Sequence, residues 1–172
     1  MRPLFFGRIP RRIPRAPVNR EILRYWLSKR RKPQLPSREA IDPAEIVPQL
    51  PNVMLIDIEY QPLRFRFRLV GTYLVRVYGR EYTGRYLDEL DLDDHHRAIT
   101  CDYKDAAECG IPRCDEYAYV MENNRYRHFE RLLLPLSADG CTVNMLFGSL
   151  HEFTFSEERA GLALLSAAGR CR

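Results

Sequence analysis

Apolar and polar residues alternate along two neighbouring stretches in the first half of the chain. Residues 52–59 are rich in Val, Ile and Leu, and in residues 63–69 apolar side chains alternate with three arginines. A period of two is typical of a strand that buries one face. A turn at Gln61-Pro62 joins the stretches, so the pattern predicts an antiparallel hairpin. The side chains predicted to lie in its core are Leu63, Phe65, Phe67 and Leu69.

Helical periodicity predicts further elements on both sides of this hairpin. In a helix over residues 19–32, Ile22, Trp26 and Leu27 lie on one apolar stripe. A capping box that begins at Asp42 predicts a second, short helix. Other helices are predicted over residues 71–78, over residues 91–108 and from Ser156 onwards.

Strands are predicted again over residues 114–121, 125–136 and 141–152. The order of the elements favours an α+β fold built on an antiparallel sheet, since strands and helices do not alternate as they do in doubly wound parallel folds. Four prolines among residues 1–17 argue against a helix or a strand there, because proline fixes φ and lacks an amide donor. We therefore predict a flexible basic arm over residues 1–18, one domain over residues 19–155 and a C-terminal helix or tail over residues 156–172.

Charge divides the chain more sharply than its net value of +4 suggests. Residues 1–38 carry twelve Lys and Arg against one acidic residue, whereas residues 39–172 carry fifteen Lys and Arg against twenty-two acidic residues. The basic part has three open interpretations: a solubilising tail, a contact for nucleic acid, or a contact for an anionic membrane surface.

Several classes of protein and of site lack support in the sequence. No apolar run approaches the roughly 18 residues of a membrane span, no secretory signal is visible and the five cysteines form no CxxC pair, so free thiols in a cytoplasmic protein are expected. No GxSxG, GxGxxG or P-loop motif occurs, and no catalytic residue is predicted. His95 and His96 are adjacent and point about 100° apart on a helix. This favours a solvated helix start over a metal or haem ligand pair, so no metal site is predicted and no cofactor is required.

Four segments, in this order, resemble PAS family 5, a group of single-domain bacterial proteins found mostly in alphaproteobacteria. They are residues 41–46 with the following Leu50-Pro51, residues 66–72, residues 78–85 and residues 131–136. The resemblance extends over about residues 19–155. It implies a five-stranded antiparallel sheet with helices on one face, here preceded by N-terminal helices, and a sensory role rather than catalysis. It identifies no ligand, because this fold hosts haem, flavins, small acids and empty cores alike.

Site residues follow from the alternation together with this resemblance. The residues expected to line a ligand cavity are Phe65, Phe67, Tyr73, Tyr103, Met145 and Phe147. Ile22, Trp26 and Leu27 are expected either to pair between two chains or to cover the sheet. The Asn-Cys-Arg-Phe-Leu motif of PAS proteins that form a flavin adduct is missing, which argues against flavin photochemistry. The arginines within residues 64–68 and 125–131 are predicted to form solvated or salt-bridged strand faces, with Glu59, Glu116 and Glu130 as partners.

The function predicted is therefore that of a cytoplasmic sensory or regulatory module that binds a small ligand, a protein partner or a second copy of itself. The alternative is a nucleic-acid- or ribosome-associated protein that uses residues 1–38 as its contact.

Overall fold

The computed structural model describes residues 4–11, 13–90, 96–120 and 126–154, and its centre is one antiparallel sheet. The strands are β1 (Leu4–Arg11), β2 (Val53–Tyr60), β3 (Leu63–Val70), β4 (Arg113–Val120), β5 (Tyr126–Leu136) and β6 (Met145–Phe153). They lie side by side in the order β1-β4-β5-β6-β2-β3. Strands β2 to β6 confirm the expected five-stranded antiparallel sheet, and β1 adds a sixth strand at its edge.

Helices cover both faces of this sheet. They are α1 (Pro17–Lys29), α2 (Thr72–Tyr78) and α3 (His96–Cys109), with short 3-10 helices at Pro43–Glu45, Val47–Asn52 and Leu87–Glu89. α2 and α3 contribute Leu74, Val77 and Tyr103 to the core on one face, which we call the α3-side core. α1 contributes Ile22 and Trp26 to the core on the other face, the α1-side core. None of the described helices is long and apolar enough to span a membrane.

The central strands are buried on both faces. All residues of β6 from Met145 to Leu150 are buried. Successive side chains of a strand point to opposite faces, so Leu146 and Leu150 lie in the α3-side core while Met145 and Phe147 lie in the α1-side core.

The predicted hairpin of β2 and β3 is present, but one of its four predicted core residues is misplaced. The register passes from Leu55 opposite Leu69 to Ile56 opposite Phe67, which leaves Arg68 as an extra residue on β3. Such a β-bulge reverses the face that each following side chain occupies. Leu69 is therefore 43% exposed, and Val70 takes the core position instead.

The prediction that no strand runs through the N-terminal arm is wrong for Leu4–Arg11. β1 pairs antiparallel with β4, with Pro10 opposite Asp115 and Arg11 opposite Cys114. Prolines are tolerated here because an edge strand pairs on one side only, so a residue without an amide donor can face away from the sheet.

The remaining differences concern element boundaries. β6 begins at Met145 rather than at residue 141, because the amides of Cys141 and Thr142 donate to Asp139 and widen the turn. The predicted capping box is half formed: Asp42 accepts from the amide of Ala44, while Glu45 forms an ion pair with Lys29 of α1. The predicted start of the helix at residues 91–95, which includes His95, the Asn123-Asn124 turn and the helix from Ser156 lie outside the described residues.

Candidate functional site

Three of the six predicted cavity residues meet in the α3-side core. Tyr103 of α3 lies with its ring centroid 5.5 Å from that of Phe65 and 6.4 Å from that of Phe67, both in edge-to-face arrangements. Its hydroxyl lies 3.8 Å from the sulfur of Met54 on β2. The alternation in β3 and the position of Tyr103 on an amphipathic helix bring these side chains together.

The other three predicted cavity residues lie elsewhere. Tyr73 of α2 is partly buried at the margin of the α3-side core, where its hydroxyl accepts a hydrogen bond of 3.1 Å from the amide of Glu152. Met145 and Phe147 lie in the α1-side core, on the opposite face of the sheet from Phe65. Since β6 is apolar at nearly every position, the sequence pattern contains no polar alternation that would assign its residues to a face.

A buried ion cluster ties α3 to the sheet beside these aromatic rings. Arg131 on β5 is 3% exposed, and its guanidinium donates through Nη2 to Asp102 of α3 and, at 3.3 Å, to Asp115 of β4. The rings of Tyr103 and Tyr117 each lie 5.4 Å from this guanidinium. The buried Nε of Arg131 has no acceptor among the described residues. One cation thus faces two carboxylates and still has an unused donor.

Removing one partner of a buried ion pair typically costs about 3–5 kcal/mol, because the other charge is left without compensation. Arg131 therefore fixes the position of α3, since Asp102 is on that helix. Burial raises the pKa of the neighbouring Tyr103 above its ordinary value of 10.0, while the charge of Arg131 acts in the opposite direction. The net change in the pKa of Tyr103 is an increase.

Sequence reasoning missed this cluster. It assigned Arg131 to a salt-bridged or solvated strand face, whereas the partners are Asp102 and Asp115 and the side chain is buried. The position of Arg131 in the sequence could have indicated its burial, because it directly precedes the apolar run at residues 132–136. In the antiparallel register it stands opposite Asp115. Asp102 could not be found from sequence, because it approaches from a helix that is distant along the chain.

Two of the three residues of the predicted partner-binding stripe of α1 lie against the sheet. Ile22 and Trp26 are fully buried in the α1-side core, and the indole Nε1 of Trp26 donates to the carbonyl of Pro135 at 3.0 Å. Leu27 is 48% exposed. Ile22 and Trp26 thus match the expectation that the stripe covers the sheet, and Leu27 does not.

Two buried glutamates hold the beginning of α1. The carboxylate of Glu130 accepts from the amides of Arg15 and Ala16 and from the Nδ2 atom of Asn19, the latter two at 2.9 Å. Glu116, directly opposite Glu130 on β4, lies 3.1 Å from Nε2 of His128. The sequence predicts these acids as partners of strand arginines. Glu130 accepts instead from the segment that starts α1, and Glu116 contacts Arg15 of that segment as well as His128 of β5.

The described side chains form no arrangement typical of a metal or flavin-adduct site. Within the described part of the chain, no group of three His, Cys, Asp or Glu side chains could hold a metal ion. Cys101, Cys109 and Cys141 are exposed, and Cys114 lies in the α1-side core, away from Tyr103. The side chains of His95 and His96, considered above as haem ligands, lie outside the described residues.

Comparisons with known proteins give one family and several structures of similar fold. The model of PAS family 5, described as a PAS domain, matches residues 15–151. No curated protein matches the chain significantly. A light-oxygen-voltage domain studied with a flavin analogue is 12% identical, with a TM-score of 0.50 over 73% of this chain and 93% of that one. A light-oxygen-voltage protein of Rhodobacter sphaeroides is 19% identical, with a TM-score of 0.50 over 69% of this chain and 68% of that one.

An RNA-binding light-oxygen-voltage receptor is 16% identical, with a TM-score of 0.48 over 83% of this chain and 42% of that one. At identities of 12% and 19%, the first two structures show a similar fold and nothing more.

Proposed function

The chain belongs to PAS family 5, and we propose that it is a non-catalytic sensory or regulatory module that responds to a small ligand at the Arg131 cluster. The observation that carries this proposal is the buried guanidinium of Arg131, which joins α3 to the sheet and whose Nε has no acceptor within the described part of the chain. An unsatisfied buried donor costs about 1–3 kcal/mol, which an incoming acceptor would recover.

The chemistry of the cluster selects the class of ligand. Arg131 already faces Asp102 and Asp115, so the three groups sum to one negative charge and a further anion would be repelled. A neutral molecule with a carbonyl or hydroxyl oxygen for Arg131 and an apolar or aromatic body for Phe67 and Tyr103 fits better. Such a ligand would change the contact between Arg131 and Asp102. Because that contact positions α3, binding would be transmitted as a movement of α3 to a protein partner or a second copy of the chain.

Native mass spectrometry of the full chain, combined with thermal melts against a library of small carbonyl and hydroxyl compounds, tests the proposal. We expect a co-purified molecule, or a compound that raises the melting temperature by several degrees. Arg131→Lys should remove this response, because lysine keeps the charge but lacks the planar fork and Nε. Arg64→Lys is the matched control, since Arg64 also forms a bidentate pair, with Asp88, but on the surface.

Two results would refute the proposal. One is the absence of any bound molecule and of any thermal response to the library. The other is an undiminished response in a folded Arg131→Lys protein.

A further inference from the structure

Three exposed cations at and after α1 have no carboxylate partner in the part of the chain that the structure describes. Among the described residues, no Asp or Glu oxygen lies within 4.0 Å of Arg24, Arg31 or Lys32. We call these three residues the α1 basic surface. By contrast, four exposed or half-exposed arginines of the strands are paired with acids: Arg64 with Asp88, Arg68 with Asp57, Arg113 with Asp105 and Arg127 with Glu152. Arg66 of β3 is also exposed and forms no ion pair with a described acid.

The scaffold that presents this surface packs against the sheet and is held at its beginning. Trp26 points into the α1-side core, and Arg24, two residues earlier, lies about 200° away around the helix and faces solvent. Glu130 holds the beginning of α1, and the Lys29–Glu45 ion pair lies at its end. The turn that follows is closed by a 2.9 Å hydrogen bond from the amide of Gln34 to the carbonyl of Arg31. The cations therefore project from an ordered support.

β1 adds two arginines at defined positions of the same basic half of the sequence. Arg8 stands opposite Tyr117 and Arg11 opposite Cys114, and Cys114 belongs to the α1-side core. The segment predicted as a flexible arm is thus registered on the sheet, and it leads directly into α1. Ten of the twelve Lys and Arg of residues 1–38 lie among the described residues.

We propose that the α1 basic surface binds the phosphate backbone of a nucleic acid. Arginine presents a planar fork of donors that matches a phosphate, and each neutralised phosphate releases condensed counterions. This inference goes beyond the proposed ligand function and does not depend on it.

Two features of α1 favour nucleic acid over the other anionic partners. A helix that lies in a membrane surface needs an apolar face for the lipid, but Ile22 and Trp26 are turned into the core and Leu27 is the one large apolar residue of α1 that is exposed. A protein interface usually has an apolar centre as well, which this surface lacks.

Binding of the full chain to a fluorescent 20-base-pair DNA duplex and to a 20-nucleotide RNA, measured by anisotropy at 50 and 200 mM KCl, tests the proposal. Three phosphate contacts on duplex DNA predict that the association constant falls about 40-fold between these salt concentrations. The double variant Arg24→Gln/Arg31→Gln keeps only Lys32, so its association constant should fall only about 3.5-fold. It should also bind more weakly than the wild type at 50 mM KCl.

The double variant Arg80→Gln/Arg85→Gln is the matched control. It removes the same charge from two exposed arginines, and Arg85 lies next to β3 through the hydrogen bond from the Phe67 amide to its carbonyl, at the opposite edge of the sheet from β1. We expect this control to bind like the wild type. Both double variants should melt within a few degrees of the wild type, since all four side chains are exposed.

Three results would overturn the proposal. The first is no binding to either nucleic acid at 50 mM KCl, and the second is an equal loss in both double variants, which would indicate a response to net charge alone. The third is binding to vesicles of phosphatidylserine and phosphatidylcholine without binding to nucleic acid, which would assign the surface to lipid. If Arg131→Lys still binds nucleic acid, the α1 basic surface acts independently of the proposed ligand site at Arg131.

Discussion

At the scale of single residues, Gly148 shows how closely the centre of the sheet is packed. It stands opposite Met54 of β2, and a Cβ atom at this position would lie 2.8 Å from both Cγ and Cε of Met54. Overpacking of this kind typically costs about 1–3 kcal/mol. We therefore expect Gly148→Ala to lower the free energy of unfolding by this amount in urea titrations. In a Met54→Ala background the same substitution should cost less, because the obstructing atoms are gone; equal costs in both backgrounds would contradict the packing argument.

Asp139 predicts a pH dependence at the turn before β6. Its Oδ1 accepts from the amides of Cys141 and Thr142 and from the hydroxyl of Ser137, and these donors hold the pKa of the carboxyl well below its ordinary value. The stabilisation is complete above the pKa of an unfolded aspartate, about 3.9, and is lost as the pH falls from there towards the folded-state pKa.

Asp139→Asn keeps an oxygen that can accept these bonds but removes the charge. We expect the wild type to melt above this variant at pH 7, with the difference shrinking by pH 3 in thermal melts. Asp139→Ala should melt lower than both at pH 7. A difference between wild type and Asp139→Asn that grows on acidification would disprove the assignment.

At the scale of elements, the attachment of α1 depends on one buried carboxylate. Glu130 accepts from two amides at the start of α1 and from Asn19, whose Oδ1 accepts in turn from Ser149 at 2.6 Å. Hydrogen bonds to a charged group contribute about 1.5–3 kcal/mol. Glu130→Gln should therefore lower the free energy of unfolding by about 2–3 kcal/mol and loosen α1.

The fluorescence of Trp26 reports on the attachment of α1, because Trp26 is the only tryptophan and is fully buried between α1 and the sheet. We expect a red-shifted emission in Glu130→Gln under conditions where circular dichroism still shows the sheet. Glu45→Gln, which removes the exposed ion pair at the other end of α1, should change stability far less than Glu130→Gln, because solvent screens an exposed ion pair. Comparable shifts in the two variants would argue against Glu130 as the main attachment.

Elements with a regular local pattern could be predicted from sequence. The β2–β3 hairpin follows from strict alternation, and α2 ends at Gly79, whose φ of 69° suits glycine at a helix end. β1 could not be predicted, because its pairing with β4 outweighs the local effect of Pro10. The bulge at Arg68 was equally hidden, since it depends on the register between two strands rather than on the composition of one.

The candidate site was predictable only where local pattern and face agree. Phe65 and Phe67 alternate with exposed residues, so their common face follows from the sequence. Met145 and Phe147 belong to a strand buried on both faces, and nothing local assigns them to the α1 side. The burial of Arg131 could not be predicted either, because it depends on Asp102 from α3 and on Asp115 from β4, which are both distant along the chain.

At the scale of the whole molecule, we propose that the folded unit starts before the predicted boundary between residues 18 and 19. Arg15, Ala16 and Asn19 all contact Glu130 or Glu116, so the segment before residue 19 completes the α1-side core. β1 adds only the edge of the sheet, since it pairs with β4 alone. We therefore infer that the unit needed for stability begins near residue 13.

Two truncations test this boundary. A chain that starts at residue 13 should keep both cores and melt cooperatively, only modestly below the full chain, with Trp26 still buried. A chain that starts at residue 20 lacks Arg15, Ala16 and Asn19, so Glu116 and Glu130 lose donors that compensate their burial. We expect it to release α1, expose the apolar residues beneath it, bind a hydrophobic dye and melt far lower. If the two truncated chains melt alike and shield Trp26 equally, the boundary lies between residues 18 and 19, as the sequence predicts. If the longer chain fails to fold, β1 is part of the unit needed for stability.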